Sequence, residues 1–325
     1  MGCVDSFNRS ISYLRVSVTD RCNLRCQYCM PPGGVVSMPH ESILRYEEIV
    51  RIVRLGAELG ITKVRLTGGE PLVRAGIVSL VAMLAAIPGV DDLAMTTNGL
   101  LLAGYARELA SAGLNRVNVS LDTLRADRFR AITRLGDIQE VERGIAAARK
   151  AGLEPVKVNT VLMRGINDDE IVDFARRTLE EPFHVRFIEE MPVGHAARLS
   201  FLPAAEAMAR IQAEFGLLEV AHQRKGNGPA SYYRIPGAQG TVGFISAVSE
   251  HFCHQCNRLR LTADGRLRPC LLSDAEIPLR EALRAGISDE ALKQMLVSAV
   301  VAKPERHHLA EGSTPEARSM SQIGG

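Results

Sequence analysis

Six of the seven cysteines fall into two tight groups, Cys22, Cys26 and Cys29, then Cys253, Cys256 and Cys270, with Cys3 alone. The first group, in the run TDRCNLRCQYCMP, has the spacing C-x3-C-x2-C. A structural zinc or iron–sulfur site usually closes its coordination with four protein ligands. Three thiolates on a four-iron cluster leave one iron open to something that is not protein, an arrangement for chemistry at the metal. The alternative is a structural zinc ion with a borrowed ligand, and His40 is the only histidine nearby. The second group, Cys253-x2-Cys256-x13-Cys270, also lacks a fourth cysteine, and His251 or His254 could complete a zinc site there.

These groups must be held by a fold, and its elements alternate. Strand-like runs at Tyr13–Thr19, Lys63–Thr67, Asp92–Thr96, Arg116–Asp122, Val156–Leu162 and His184–Ile188 are separated by helical patterns. The helical patterns are Tyr46–Leu59, Ile77–Ala86, Leu101–Ala112, Ile138–Ala151 and Glu170–Leu179, several closing at a glycine (Gly60, Gly113, Gly152). Such alternation implies parallel strands with right-handed crossovers.

Along each strand one face is apolar and the other polar: Leu14, Val16 and Val18 against Arg15, Ser17 and Thr19; Val117 and Val119 against Asn118 and Ser120. A parallel sheet covered on both faces reads instead as a continuous apolar run. The fold class is therefore α/β, an incomplete TIM-type barrel whose polar face looks onto a ligand-filled lumen. Arg15, Arg65 and Lys157 share that lumen face, and long cations in such a place suit a polyphosphate.

Gly68–Gly69–Glu70–Pro71, Thr97–Asn98–Gly99 and Ser120–Leu121–Asp122 sit at the ends of successive strands, where barrel enzymes build their sites. After residue 217 the texture becomes irregular, with a hairpin at Arg258–Leu261 and Arg266–Arg268 and a late, interrupted helix at Leu279–Ala285 and Asp289–Lys303. We expect a barrel core over 6–222 and a smaller region over 223–325 carrying the second cysteine group. Composition alone would leave the polar tail, ending Ile323–Gly324–Gly325, frayed.

The chain has 325 residues, 46% of them hydrophobic, enough for a large core, and a net charge of +2 that favours neither nucleic acid nor a membrane surface. No apolar run reaches the roughly 18–20 residues of a membrane span. Cysteines without a secretory leader predict a reducing, cytoplasmic setting.

Tyr28 before the last cysteine of the C-x3-C-x2-C run makes the first group resemble the radical S-adenosylmethionine superfamily. The string F-C-x-x-C-N-R-L-R-L-T-x-D-G-x-L-R-P-C-L resembles, more narrowly, the GTP 3',8-cyclases of molybdenum cofactor biosynthesis (protein A of that pathway). R-L-T-G-G-E-P-L-V-R, V-N-V-S-L-D-T-L, R-F-I-E-x-M-P-x-G and the terminal Gly-Gly carry the same resemblance, which spans nearly the whole chain.

The resemblance implies a radical lyase with two 4Fe-4S clusters and S-adenosylmethionine. Cys22, Cys26 and Cys29 would hold the cofactor-cleaving cluster, and Cys253, Cys256 and Cys270 a second one whose open iron meets guanine. Tyr28, Gly69, Ser120 and Met191 would contact S-adenosylmethionine, the glycine admitting a close approach of the backbone. Arg15, Arg65, Thr96, Lys157, Arg258, Leu259 and Arg260 would contact GTP, and the Gly-Gly tail would insert toward the site. Partners implied are cyclic pyranopterin monophosphate synthase downstream and a low-potential electron donor of flavodoxin or ferredoxin type, with homodimerisation left open.

Glu190 departs from the pattern, standing where an aromatic or apolar residue is expected, and the resemblance is weak from Ala207 to Tyr233. The other readings are a two-cluster enzyme acting on a peptide and a zinc-stabilised binding module. Metal content separates the second of these: anaerobically purified protein should carry about eight irons with matching sulfide, and stoichiometric zinc instead would exclude a cluster enzyme.

Overall fold

The period-two pattern of the strands decides the architecture, because it gives the sheet one face to bury under helices and one to turn inward. In the computed structural model, which describes residues 3–193, 201–221, 228–311, 314–315 and 318–324, six parallel strands stand side by side in chain order. They are β1 (Tyr13–Ser17), β2 (Lys63–Thr67), β3 (Asp92–Thr97), β4 (Arg116–Ser120), β5 (Lys157–Leu162) and β6 (His184–Glu189). The helices that follow them are α1 (Tyr46–Glu58), α2 (Ile77–Ala85), α3 (Leu102–Ser111), α4 (Ala126–Thr133), α5 (Ile138–Lys150), α6 (Ile171–Glu180) and α7 (Ala204–Phe215).

Leu14, Val16, Val64, Leu66, Val117, Val119, Val185 and Phe187 are fully buried in one apolar core with the inner faces of these helices. Helices α1 and α6 show why: Ile49, Ile52 and Val53, or Ile171, Phe174 and Ala175, recur at helical spacing and bury one stripe of each. Gly60, Gly113 and Gly152 close their helices at φ of 95°, 99° and 79°, as their positions in the sequence implied.

The later chain extends both edges of this sheet. Beyond β6 come β7 (Glu219–Val220), β8 (Ser231–Arg234) and β9 (Thr241–Ile245) in the order β6-β9-β8-β7, with β9 parallel to β6 and the outer pairs antiparallel. At the opposite edge β10 (Arg258–Leu261) pairs parallel with β1, followed by the antiparallel β11 (Arg266–Arg268) and β12 (Ile277–Pro278). The barrel does not close, since β9 and β10 take the two edges that closure would join. The boundary expected between 222 and 223 lies outside the described residues.

Two helices were missed in the sequence: α4, which buries Phe129, Ile132 and Thr133, and α7, which buries Ala204, Ala207 and Ile211 at helical spacing. The late interrupted helix is two, α8 (Leu279–Arg284) and α9 (Asp289–Val301), with Gly286 between them at φ 78°.

Phe187 on β6 stacks on Phe244 of β9 at 5.9 Å and meets Phe174 of α6 edge-on at 6.2 Å, joining the core strands to the added edge. Phe187→Ala should therefore cost about 3–5 kcal/mol in denaturant unfolding, the usual loss for a fully buried phenylalanine. A cost below about 1 kcal/mol would mean that this edge contributes little to the core.

Candidate active site

The two cysteine groups belong to opposite ends of the sheet. Cys22, Cys26 and Cys29 follow the C-terminal end of β1, whereas Cys256 immediately precedes β10, which runs parallel to β1 with Arg258 beside Tyr13. Cys270 follows β11, which is antiparallel to β10, and so returns to the same N-terminal end. Between the two ends a cavity of about 230 Å³ runs along the polar face of the sheet.

The loop bearing the first triplet has no regular structure, and neighbouring segments hold it. Gly69 N–H donates to Thr19 O and Glu70 N–H to Arg21 O, both at 2.8 Å. A Cβ on Gly69 would stand 2.3 Å from Arg21 O and 2.8 Å from Asp20 O, so only glycine allows this contact. Gly69 is thus required by the backbone of the cysteine loop itself, and it is not among the residues that line the cavity.

Glu70 is buried and accepts from Thr97 Oγ1 at 2.8 Å, Asn98 N at 2.7 Å and Leu72 N at 3.1 Å. Burial pushes its carboxyl up to about 7 against those three donors. Asn98 in turn reaches Asn23 Oδ1 at 2.8 Å and lies 3.8 Å from Cys22 Sγ. The strand-end motifs seen in the sequence therefore form one clamp around the first triplet.

At the C-terminal mouth, Tyr28, Ser120, Asp122 and Met191 line the cavity. Tyr28 OH donates to Asp122 Oδ2 at 2.8 Å, and Asp122 Oδ1 accepts from Val161 N at 2.9 Å. Burial raises the Asp122 carboxyl to about 6. Glu189 fixes the far side of the mouth, accepting from Ala204 N at 2.9 Å, Val248 N at 2.8 Å and Ser249 N at 2.9 Å. Glu190, the departure from the family pattern, is a buried residue of the cavity wall.

Toward the N-terminal end the lining turns cationic: Arg15, Arg65, Arg186, Arg258 and Arg260. Register places Arg260, Arg15 and Arg65 directly beside one another on β10, β1 and β2. Lys157 does not line this cavity; it stands beneath it, lining a second one of about 500 Å³, with Nζ 3.0 Å from Tyr232 OH. Thr96 lines the main cavity, whereas the Leu259 side chain points the other way into the apolar core. Arg186 was missed in the sequence, although His184, Arg186 and Ile188 have the parity of the lumen face.

Cys253, Cys256 and Cys270 also line the cavity. Although burial opposes it, Arg258 and Lys303 bring the Cys256 thiol down to about 6, and Arg258 Nη2 lies 3.6 Å from its sulfur. Lys303 Nζ donates to Arg258 O at 2.9 Å and Pro269 O at 2.7 Å, while Arg9, paired with Asp5 at 2.6 Å, donates to Cys253 O at 2.8 Å. Neither Arg9 nor Lys303 carries a motif that would reveal this role.

The tail over residues 318–324 is packed into the fold, contrary to what its composition suggests. Arg318 pairs with Asp264 at 2.9 Å and Glu276 at 2.6 Å, and α10 (Met320–Ile323) follows with Ile323 1% exposed. Gly324 O accepts from Arg260 Nη1 at 2.9 Å, and a Cβ on it would stand 2.5 Å from Thr67 Oγ1. Gly325 lies outside the described residues.

The residues present fit the groups that the sequence implies. Burial pushes Cys29 up to about 12, with Cys22 and Asp122 adding to it, so thiolates here need a compensating positive charge such as an iron–sulfur cluster provides. Arg65 Nε, Thr96 Oγ1, Asn159 Oδ1 and Arg186 Nε and Nη2 are buried with no hydrogen-bond partner among the described residues, and all four residues line the cavity. Buried polar atoms left this way suit a polar ligand. Gly69→Ala should halve the iron content of anaerobically purified protein, from about eight to about four per chain, by displacing the first cysteine loop alone. Full iron loading in that variant would show that the clamp is dispensable.

The Radical SAM superfamily matches residues 16–178 and Molybdenum Cofactor Synthesis C matches 183–309. The GTP 3',8-cyclase of Pelotomaculum thermopropionicum is 55% identical over 324 residues, 99% of both chains, and that of Heliobacterium modesticaldum 56% identical over 327 residues, 99% of this chain and all of that one. Among solved structures, Streptococcus suis SuiB bound to S-adenosylmethionine superposes with a TM-score of 0.59 at 14% identity, over 90% of this chain and 69% of that one, a likeness of fold. With near-complete coverage at such identity, and with Tyr28 of the first cysteine run and the whole second cysteine group lining one cationic lumen, the chain belongs to the GTP 3',8-cyclase family of radical S-adenosylmethionine enzymes.

Proposed function

We propose that this chain converts GTP into (8S)-3',8-cyclo-7,8-dihydroguanosine 5'-triphosphate for molybdenum cofactor biosynthesis. The observation that carries the reading is the row of lumen cations, Arg260, Arg15 and Arg65, at one end of a cavity whose other end is lined by Tyr28 of the first cysteine run. Cys22, Cys26 and Cys29 would hold the cofactor's cluster, and Tyr28, Gly69, Ser120 and Met191 would seat S-adenosylmethionine beside it. Together these groups supply, when bound, a 5′-deoxyadenosyl radical able to take the hydrogen from the ribose 3′ carbon.

The remaining work is positional. Arg15, Arg65, Lys157, Arg258 and Arg260 would bind the triphosphate, with Thr96 and the backbone at Leu259 beside them, and so fix the ribose against the cofactor end. Cys253, Cys256 and Cys270 would hold a second cluster that offers guanine an open iron, presenting C8 to the 3′ carbon. No side chain needs to act as a nucleophile; orientation and exclusion of water supply the rate. A peptide substrate would leave the cation row unexplained.

The Molybdenum Cofactor Synthesis C match supports hand-over of the product to cyclic pyranopterin monophosphate synthase. A flavodoxin- or ferredoxin-type carrier would deliver the electron, in a reducing cytoplasm that keeps the thiols free. Among the described residues no helix is long and apolar enough to cross a membrane.

Anaerobic incubation with GTP, S-adenosylmethionine and dithionite should yield 5′-deoxyadenosine and the cyclised nucleotide together; deoxyadenosine with GTP untouched would refute the substrate assignment. Arg258→Ala or Arg260→Ala should each raise the KM for GTP by about 10- to 100-fold, the loss expected for a charge-assisted hydrogen bond.

A further inference from the structure

Tyr232 lies in the stretch where the family resemblance is weakest, on β8 outside the six-stranded core, yet it reaches Lys157 beneath the cation-lined lumen. The sheet register explains how. Tyr232 of β8 stands beside Gly243 of β9, Gly243 beside Arg186 of β6, and Arg186 beside Asn159 of β5, all on one row. Glycine leaves a gap in that row, and the tyrosine ring fills it: a Cβ on Gly243 would stand 3.0 Å from Tyr232 Cε1 and 3.1 Å from Arg186 Cγ.

Through the gap the ring lies under Lys157, whose Nζ is 4.8 Å from its centroid and 3.0 Å from its hydroxyl. Lys157 and Tyr232 line the lower cavity, Arg186 the upper, so the three form the partition between them. Burial raises the Tyr232 phenol, but Arg186 and Lys157 outweigh it and bring the group below its ordinary value. Burial brings Lys157 down to about 8.

We infer that Tyr232 is a positioning residue for the distal phosphates of GTP: its ring and hydroxyl fix Lys157 and Arg186 as the floor of the triphosphate socket. The inference rests on the proposed placement of GTP with its phosphates among these cations. Without the hydroxyl, Lys157 keeps its ring contact but loses its fixed direction; without the ring, both cations are released into the lower cavity. The phosphate farthest from the ribose should feel this most, and a nucleotide lacking it should not.

The test uses cluster-loaded, anaerobic enzyme without S-adenosylmethionine, so that nucleotide affinity is read with no turnover. Tyr232→Phe should weaken GTP by about tenfold, the worth of one hydrogen bond to a charged group at the lower end of its range. GMP affinity should stay within twofold, and in turnover KM should rise with kcat kept. Tyr232→Leu should weaken GTP further than Tyr232→Phe, with iron content unchanged. Gly243→Ala crowds the same ring from the other side, and should show a smaller loss with the same preference for GTP over GMP even if Tyr232 variants fold poorly.

Equal weakening of GTP and GMP, or no change in GTP, would overturn the inference. Lys157→Met and Arg186→Met separate it from the reading beneath it. If both weaken GTP while Tyr232→Phe does not, only the role of Tyr232 fails; if neither weakens GTP, the phosphate placement itself fails.

Discussion

Cations of one sign, held side by side in a buried lumen, are the constraint on which the structure turns. Parallel register sets Arg260 against Arg15 and Arg15 against Arg65, so the row cannot spread without breaking the sheet. Burial, then Arg260, Arg65 and Arg258, drives Arg15 well below its ordinary range, and burial brings Arg65 and Arg260 down to about 10. Removing charge from water is costly unless an opposite charge replaces the solvent. The cost is borne by the apolar core on the other face of the same strands, where Leu14, Val16, Val64 and Leu66 are essentially inaccessible. A polyphosphate entering the lumen relieves what the apo fold sustains.

Around that lumen the loops share one device. Segments bearing cysteines have little regular hydrogen bonding of their own, so side chains from distant parts of the chain satisfy them. Arg134 reaches Arg25 O at 2.8 Å and Met30 O at 3.0 Å in the first loop, and Arg9 and Lys303 do the same for the second. The tail is tied differently, by its own Arg318 pairing with the carboxylates of Asp264 and Glu276. Guanidinium groups suit this work because one side chain offers several fixed donors to carbonyls that cannot otherwise pair. Each end is thereby rigid without being part of the sheet.

Much of this was legible because parity survives in sequence. Alternation along the strands separates Arg15, Arg65 and Lys157 from the core, and the same rule applied to His184, Arg186 and Ile188 would have added Arg186. Parity fixes a face but not a height along the strand, which is why Lys157 belongs to the floor and not to the cavity wall. Leu259 illustrates the converse, a motif residue whose side chain faces the core. Gly69 reads in sequence as a glycine for ligand approach, and a second demand on it, close contact with Arg21 and Asp20 of its own chain, shows only in three dimensions. The order of the tail was hidden because its anchors, Glu276 and Asp264, lie 42 and 54 residues away from Arg318 in sequence. The stripes of α4 and α7 are present but rest partly on alanine and threonine, which mark a buried face less plainly than branched residues do.

The two ends of the lumen differ in sign as well as in metal ligands. Carboxyl groups collect at the C-terminal mouth, with Asp122 on Tyr28 and Glu189 and Glu190 at the end of β6, whereas Arg15, Arg65, Arg186 and Arg260 hold the other end. S-adenosylmethionine carries a sulfonium cation and GTP a polyanion, so a field running along one cavity sorts the two molecules without a separate site wall for each. Buried or partly buried charges are screened less than surface ones, so such a field acts over more than one side-chain length. In the proposed placement it would also orient GTP, drawing the phosphates toward the cation floor and leaving the ribose between them and the mouth. The 3′ carbon would then be fixed from two sides, by the phosphates among the cations and by guanine at the second cysteine group. A cation row that the empty fold holds at a cost would thus help to place the reacting atom.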